Sequence, residues 1–405
     1  MIIKNKLLFF QKKVYMKKLT FLLFSVLTTG NALAETRFSV EKDSLSVPES
    51  AQTTNVDLYF NGSFAANKSN TAPGAAGFRL EDARINIYGN YNEDLSYRVR
   101  FRLNRPYTPN SQDNASAALD FAYLTYHFGK DRKWDLRLGK AYAMVGSYEQ
   151  DIHPLYEYIY GDYLSYIVNP FLATIQLGYQ LNEHHKVGLQ GHNTLNSKFG
   201  DHLSNNGLST EGYLSSKAPI GGYVYWIASY FDGKLQTNYS YDIAQFAQDY
   251  YTHTISLGHQ LKIGRHLAYL DLMYSHMGAD YATVASKVLN KYENRAQNKY
   301  IMYKNIVYKG AIARYEYQVN DAWSASAKLA FELAGSQNLL SEHFRQNYSY
   351  FVALQYAPFK TQDFRFYGAY IGNTINYSKE LNRPYEQYNR VAIGAYYTLP
   401  VFKKK

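Results

Sequence analysis

From residue 54 onward, apolar and polar positions alternate with a period of two in short runs rich in Tyr, Val, Ile, Phe and Thr, separated by polar turns. No stretch holds a convincing helical period. The clearest run is Leu95 to Asn104, where Leu95, Tyr97, Val99, Phe101 and Leu103 alternate with Ser96, Arg98, Arg100, Arg102 and Asn104. Ala325 to Leu333 and Tyr348 to Tyr356 repeat the pattern. Successive strand side chains point to opposite faces, so each run presents one face to an apolar phase and one to a polar phase. Such runs predict strands near 54–65, 77–90, 94–104, 117–128, 134–143, 171–181, 186–193, 220–231, 235–243, 252–263, 265–277, 304–318, 323–335, 347–358, 364–377 and 389–402.

The connections choose the architecture. Joined in order, these strands give loops that alternate strictly between long and short. The short ones are Tyr91 to Glu93, Gly129 to Lys133, Asn182 to His185, Asp232 to Lys234, Gly264, Val319 to Ala322 and Phe359 to Asp363. The long ones include 105–116, 144–170, 194–219, 278–303 and 378–388. A β-sandwich has no reason to segregate its loop lengths. A transmembrane antiparallel β-barrel of about 16 strands does, with short turns in the periplasm and long loops outside.

Composition agrees with a bilayer. Tyrosine supplies 43 of 405 residues, and barrels carry such rings as girdles at both membrane interfaces. There is no cysteine, which removes disulfides, thiolate nucleophiles and a lipidated N-terminal cysteine. At the N-terminus, Lys17 and Lys18, the apolar run Leu19 to Leu27 and the small residues ending Ala32-Leu33-Ala34 read as a secretory signal peptide. Residues 1–34 are therefore expected to be cleaved, with 16–34 as the core signal and either Met1 or Met16 as the start. Residues 35–53 form a short periplasmic segment, and 54–402 the outer-membrane barrel. The signal holds six lysines and no acid, so the net charge of +10 falls to +4 on the mature chain. A basic isoelectric point is thus no argument for nucleic acid. The last strand ends on Phe402 and looks like the segment that barrel-assembly machinery reads, apart from Pro400 and the trailing Lys403 to Lys405.

Three blocks carry a resemblance. They are Phe78 to Arg84, Ala118 to Phe128, and Leu136 to Lys140 followed by Val145 to Asp151. Over about 77–180 the chain resembles the phosphate-selective porin O and P family, particularly its Bacteroidetes members, in which a strand ending Arg-x-Gly-Lys leads into a loop beginning near a glycine and an acid. The resemblance implies a homotrimeric channel for small hydrophilic solutes or anions, with the third extracellular loop folded inward as a constriction. Here that loop is Met144 to Pro170, carrying Gly146, Glu149, Asp151, His153, Glu157 and Asp162 but no lysine or arginine. The family's phosphate-binding members place lysines at this position, so their preference does not transfer directly.

Parity then assigns the lumen. With Val99 and Phe101 facing lipid, Arg98, Arg100 and Arg102 point inward, and the same reasoning turns Arg84, Arg137, Arg314, Lys328 and Arg390 inward. Lys140 ends an outward series, so either a bulge turns it into the lumen, the preferred reading, or it snorkels to the interface. Fixed guanidinium charges would guide anions. Alternatively they brace the wall against Asp82, Asp135, Glu316 and Glu332. His184 and His185 sit in a turn and read as solvated, not as metal ligands. No nucleophile elbow or metalloprotease spacing is present, so neither enzyme chemistry nor a cofactor is implied. The alternatives to a porin are an adhesive or binding barrel acting through loops 194–219 and 278–303 and, behind it, a barrel hydrolase.

Overall fold

The computed structural model describes residues 52–109, 111–336 and 343–404; the expected signal peptide, and most of the segment expected to follow it, lie outside the described residues. Sixteen strands close into one antiparallel barrel. They are β1 Thr54–Ser69, β2 Ala75–Asn90, β3 Leu95–Arg102, β4 Leu119–Phe128, β5 Trp134–Tyr142, β6 Phe171–Asn182, β7 His185–Asn193 and β8 Ile220–Tyr230. The second half comprises β9 Leu235–Ala247, β10 Tyr250–Ile263, β11 His266–Ala279, β12 Lys304–Gln318, β13 Trp323–Ser336, β14 Arg345–Tyr356, β15 Asp363–Tyr377 and β16 Glu386–Lys404. Each strand pairs with its sequence neighbour. β1 and β16 close the ring, with Tyr59 opposite Thr398 and Ala65 opposite Ala392.

The alternation seen in the sequence becomes an inside and an outside. On β1, Tyr59, Asn61, Ser63 and Ala65 are buried within the barrel, whereas Phe60 and Phe64 are exposed on its outer wall. Leu124, Leu138, Ile175, Leu189, Ile255, Val352 and Ile393 continue that apolar wall, which lipid covers. Aromatic pairs rim it: Trp134 with Tyr179 at 4.4 Å and Trp323 with Tyr356 at 4.7 Å near the short turns, and Phe331 with Tyr348 at 4.9 Å toward the other end. Three short turns are built alike. The side-chain oxygens of Asn92, Asn182 and Asn320 each accept two backbone N–H bonds at 2.8–3.0 Å, which is the local bonding that makes asparagine a turn residue. His184 and His185 lie at the second of these turns, and His185 accepts from Trp226 Nε1 at 3.3 Å.

Two expectations are corrected. The long–short alternation of loops is not strict, because β1 continues to Ser69 and β9 and β10 run to Ala247 and from Tyr250. Their extracellular connections shrink to 70–74 and to Gln248 and Asp249. Above the lipid both faces of a strand meet water, so it can go on pairing without apolar alternation. Helices also exist: α1, Phe199–Asn205, and α2, Val284–Tyr292. Both are too short to be stable alone and are held by packing of Leu203, Leu208, Ala285, Val288 and Leu289. Loops 194–219 and 280–303 that carry them interlock: His202 Nε2 bonds the Tyr281 carbonyl at 2.7 Å, and Tyr213 Oη donates to the Met302 carbonyl at 2.6 Å. The pair covers the β7–β12 side of the mouth.

Candidate functional site

The loop between β5 and β6 runs through the inside of the barrel. It carries the residues that the sequence assigned to a constriction, and its side chains form the apolar core of the lumen. Val145, Tyr148, Ile152, Leu155, Tyr156, Tyr163 and Ile167 are buried against wall residues such as Tyr269, Phe351 and Tyr396.

Polar anchors fix where it crosses. Gly146 N donates to Ser240 Oγ at 2.8 Å, and its Cα is so close to the wall that an added Cβ would lie 2.5 Å from the Ser256 carbonyl oxygen. This is a position where only glycine fits. Asp271 on β11 accepts from Ser147 Oγ and from the backbone N–H groups of Tyr148 and Glu149 at 2.7–2.9 Å. Glu332 on β13 does the same for Asp162 N and Tyr163 N, both at 2.7 Å. Two wall carboxylates therefore grip the loop by its main chain, and buried polar groups need such partners.

The loop acids are spent on the same wall. Lys328 Nζ meets Glu149, Glu157 Oε1 at 2.6 Å and the Ile159 carbonyl at 2.5 Å, with all three charged side chains inaccessible. Arg314, also buried, lies 2.9 Å from Glu316 and 3.9 Å from Glu157. Asp162 pairs with Arg345. His153 packs its ring 4.6 Å from Tyr59, and Tyr156 Oη donates to Asp363 at 2.5 Å. Asp151 is the loop acid that stays partly exposed. Burial pushes the Glu157 carboxyl above its ordinary range despite the pull of Lys328 and Arg314.

The opposite wall gathers the arginines. Asp120, displaced by a bulge where β3 meets β4, accepts from Arg84 Nη1, Arg100 Nε and Arg102 Nε at 2.7–3.0 Å. Arg84 also forks onto Asp82 at 2.6–2.9 Å, and Arg98 Nε donates to Asn86 at 3.0 Å. Aromatic plates separate the rungs: Arg98 and Arg100 lie 4.7 and 4.1 Å from the Phe121 centroid, and Arg102 lies 5.4 Å from Phe171. Exposure differs sharply along the ladder. The Arg100 side chain is 1% exposed and Arg84 6%, against 24% for Arg102, so Arg102 is the rung that water reaches most. Tyr160 of the loop is within electrostatic reach of Arg84 and Arg102. It keeps 38% of its surface accessible, and Lys328 Nζ lies 5.7 Å from its ring centroid.

The other assigned cations lie apart. Arg137 donates to Thr125 Oγ1 at 3.1 Å and stacks 4.3 Å over Tyr123. Arg390 pairs with Glu81 near the extracellular rim. Lys140 is closed off by the loop between β3 and β4, its Nζ 2.6 Å from Asp113. Burial alone would raise the Asp113 carboxyl, but Lys140 and the Ser111 hydroxyl hold it below the usual range.

Several partners differ from those expected. Asp135 serves Lys186 and His127, the latter at 2.5 Å, and Glu332 takes loop amides. Asp120, Asp271 and Arg345 were not singled out as site residues. The inward parity of Asp271 was readable from its strand, whereas Arg345 lies before the strand expected at 347–358, and the loop residues they hold, Glu149 and Asp162, are 122 and 183 residues away. Among the described residues, no group of three or more His, Asp or Glu is arranged to hold a metal.

A closed antiparallel barrel of sixteen strands with an internal loop crossing its lumen is the architecture of a porin-type outer-membrane channel. The model of the phosphate-selective porin O and P family matches residues 54–399, and the chain belongs to that family. No curated protein matches. Solved structures of the same fold include the outer membrane channel DcaP of Acinetobacter baumannii, at a TM-score of 0.59 and 11% identity, over 87% of this chain and 99% of that one. The anion-selective porin from Comamonas acidovorans matches at 0.54 and 11%, over 86% and 100%. The trimer form of OmpT from Vibrio cholerae matches at 0.52 and 12%, over 85% and 99%. The protein is an outer-membrane porin, a channel for passive diffusion of small hydrophilic solutes.

Proposed function

We propose that this porin favours small anions, that it works as a homotrimer exported by the signal in residues 1–34 and inserted by barrel-assembly machinery, and that it catalyses no reaction. The observation that carries the anion preference is how charge is divided across the lumen. On the β2–β4 wall, Arg84, Arg100 and Arg102 gather around Asp120, Arg84 also meets Asp82, and Arg98 donates to Asn86. The loop's Glu149, Glu157 and Asp162 are bound to cations of the far wall and face away from the passage. A permeating ion therefore meets a guanidinium-rich wall on one side and Tyr160 on the other.

Bracing and guiding are assigned to different rungs. Arg84, Arg98 and Arg100 brace, because they are buried against Asp82, Asn86 and Asp120, while the more exposed Arg102 shapes the potential. Screening over about 8–10 Å at physiological salt confines the effect to the constriction. Reversal potentials of the purified porin across a salt gradient test this. A modest anion preference that shrinks at high salt and falls in Arg102→Gln is expected, and cation selectivity in the unaltered channel would overturn it. Trimerisation is supported by the trimer form among the structural relatives, and cross-linking of the detergent-extracted protein tests it.

A further inference from the structure

Three histidines of the outer wall each meet a tyrosine hydroxyl: His253 with Tyr241 at 2.7 Å, His259 with Tyr239 at 2.7 Å and His266 with Tyr315 at 2.6 Å. Their parity is outward, since Thr252, Thr254 and Gln260 of β10 and Leu267 and Tyr269 of β11 are the buried, inward positions. His276 departs from this pattern. It is outward on β11, between the buried Ser275 and Met277, and the residue directly opposite it on β10 is His253.

Residues opposite each other in an antiparallel pair hold their Cβ atoms about 4.5–5.5 Å apart, and the two imidazoles are within electrostatic reach of one another. A metal ion shared by two imidazoles needs nitrogen–metal distances of about 2.0–2.1 Å, which rotation about χ1 and χ2 reaches from this separation. Tyr241 prepares one of the rings. With its hydroxyl accepting from Nδ1–H, His253 keeps the Nε2 lone pair for a metal, and a hydrogen bond on one ring nitrogen is what orients the other in metal-bound histidines. If both rings were protonated, like charges would oppose each other across the sheet, which is unfavourable; a metal takes the place of those protons.

The surroundings choose the ion. The outward residues flanking the pair are Ile243, Tyr251, Ile255, Tyr274 and Val307, which supply no carboxylate, and the chain has no cysteine. Two imidazoles without hard oxygen ligands select a late first-row ion, with Cu2+ above Zn2+, and not Mg2+. Tyr241, Tyr251 and Tyr274 are exposed around the pair, and such a tyrosine belt marks the membrane interface, where water completes the coordination.

We propose that His253 and His276 form a two-histidine chelate for a divalent late transition metal, Cu2+ or Zn2+, tying β10 to β11 on the outer wall. The test titrates Cu2+ and Zn2+ separately into the untagged, folded porin and into His253→Gln, His276→Gln, His259→Gln and Tyr241→Phe, with the coordination of Cu2+ read by electron paramagnetic resonance. The parent should bind one Cu2+ through two imidazole nitrogens, and Zn2+ more weakly. Each variant of the pair should bind about a hundredfold more weakly, because the second imidazole no longer acts at the high effective concentration of a chelate. Tyr241→Phe keeps both ligands and should bind about tenfold more weakly, whereas His259→Gln should bind like the parent and Mg2+ should not compete. A parent that binds no Cu2+, a parent spectrum with a single imidazole, or pair variants that bind like the parent would each overturn the site. The nitrogen count is read on the parent itself, so it decides the matter even where a variant does not assemble.

Discussion

Gly146 shows how little room a single position leaves. Its Cα lies against two strands, and a methyl group there would sit 2.5 Å from one carbonyl oxygen and 2.7 Å from another. Backbone atoms on both sides cannot move aside cheaply, so Gly146→Ala should lift this end of the loop off the wall. The expected readout is a larger single-channel conductance with the barrel still folded, and an unchanged conductance would mean that the loop slides without opening the passage. Val99 tests the outer face at the same scale. A lysine there should cost roughly 2–4 kcal/mol of assembly if it lies near the midplane, measured as the urea midpoint of folding into vesicles. The alternation that identified Val99 is a short-range pattern and was legible in the sequence. The roles of Arg100 and Arg102 were not, because both have the same parity. Asp120 accepts from both; what separates them is the stack of Phe121 over Arg100 and the burial that goes with it, which no spacing announces.

At the scale of elements, the loop between β5 and β6 is held as much by wall carboxylates as by its own side chains. Lys328→Met would leave Glu149 and Glu157 buried without their cation, a loss of about 3–5 kcal/mol for a broken buried pair. The expected result is a lower thermal midpoint together with noisier, larger channel openings. If the midpoint falls while openings stay uniform, the pair stabilises the wall and does not position the loop. The lid loops respond to a different variable. Burial holds His202 below its ordinary pKa, so the folded lid binds fewer protons than the free segment. The stability that His202 contributes is therefore present above about pH 6.5 and is lost as pH falls through the lower folded value. Hydrogen exchange of residues 199–205 should quicken on acidification, and His202→Gln should remove that dependence. The sequence marked loop 144–170 by its length and its place in the strand order, yet it did not show that the acids would turn to β13 and β14 and leave tyrosine at the passage. Sign of charge is written in the sequence, whereas direction depends on contacts across the whole lumen.

At the scale of the molecule, strand number, closure and the inside–outside division were legible because lipid imposes one rule on every strand. What escaped was extramembrane: the continuation of β1, β9 and β10 beyond the lipid, and the two short helices, where water on both sides removes the pattern and tertiary packing decides. The anchors of the inner loop also carry a consequence for assembly. Ser147 reaches a partner 124 residues later, Asp162 one 170 later and Tyr156 one 207 later. Contacts this remote in sequence form late. While only the first eight strands exist, the loop has no far wall to hold it, and its buried tyrosines and acids must wait in water. The passage is thus narrowed by the same late strands that close the ring, and an intermediate stalled before β13 would be a leak and not yet a filter.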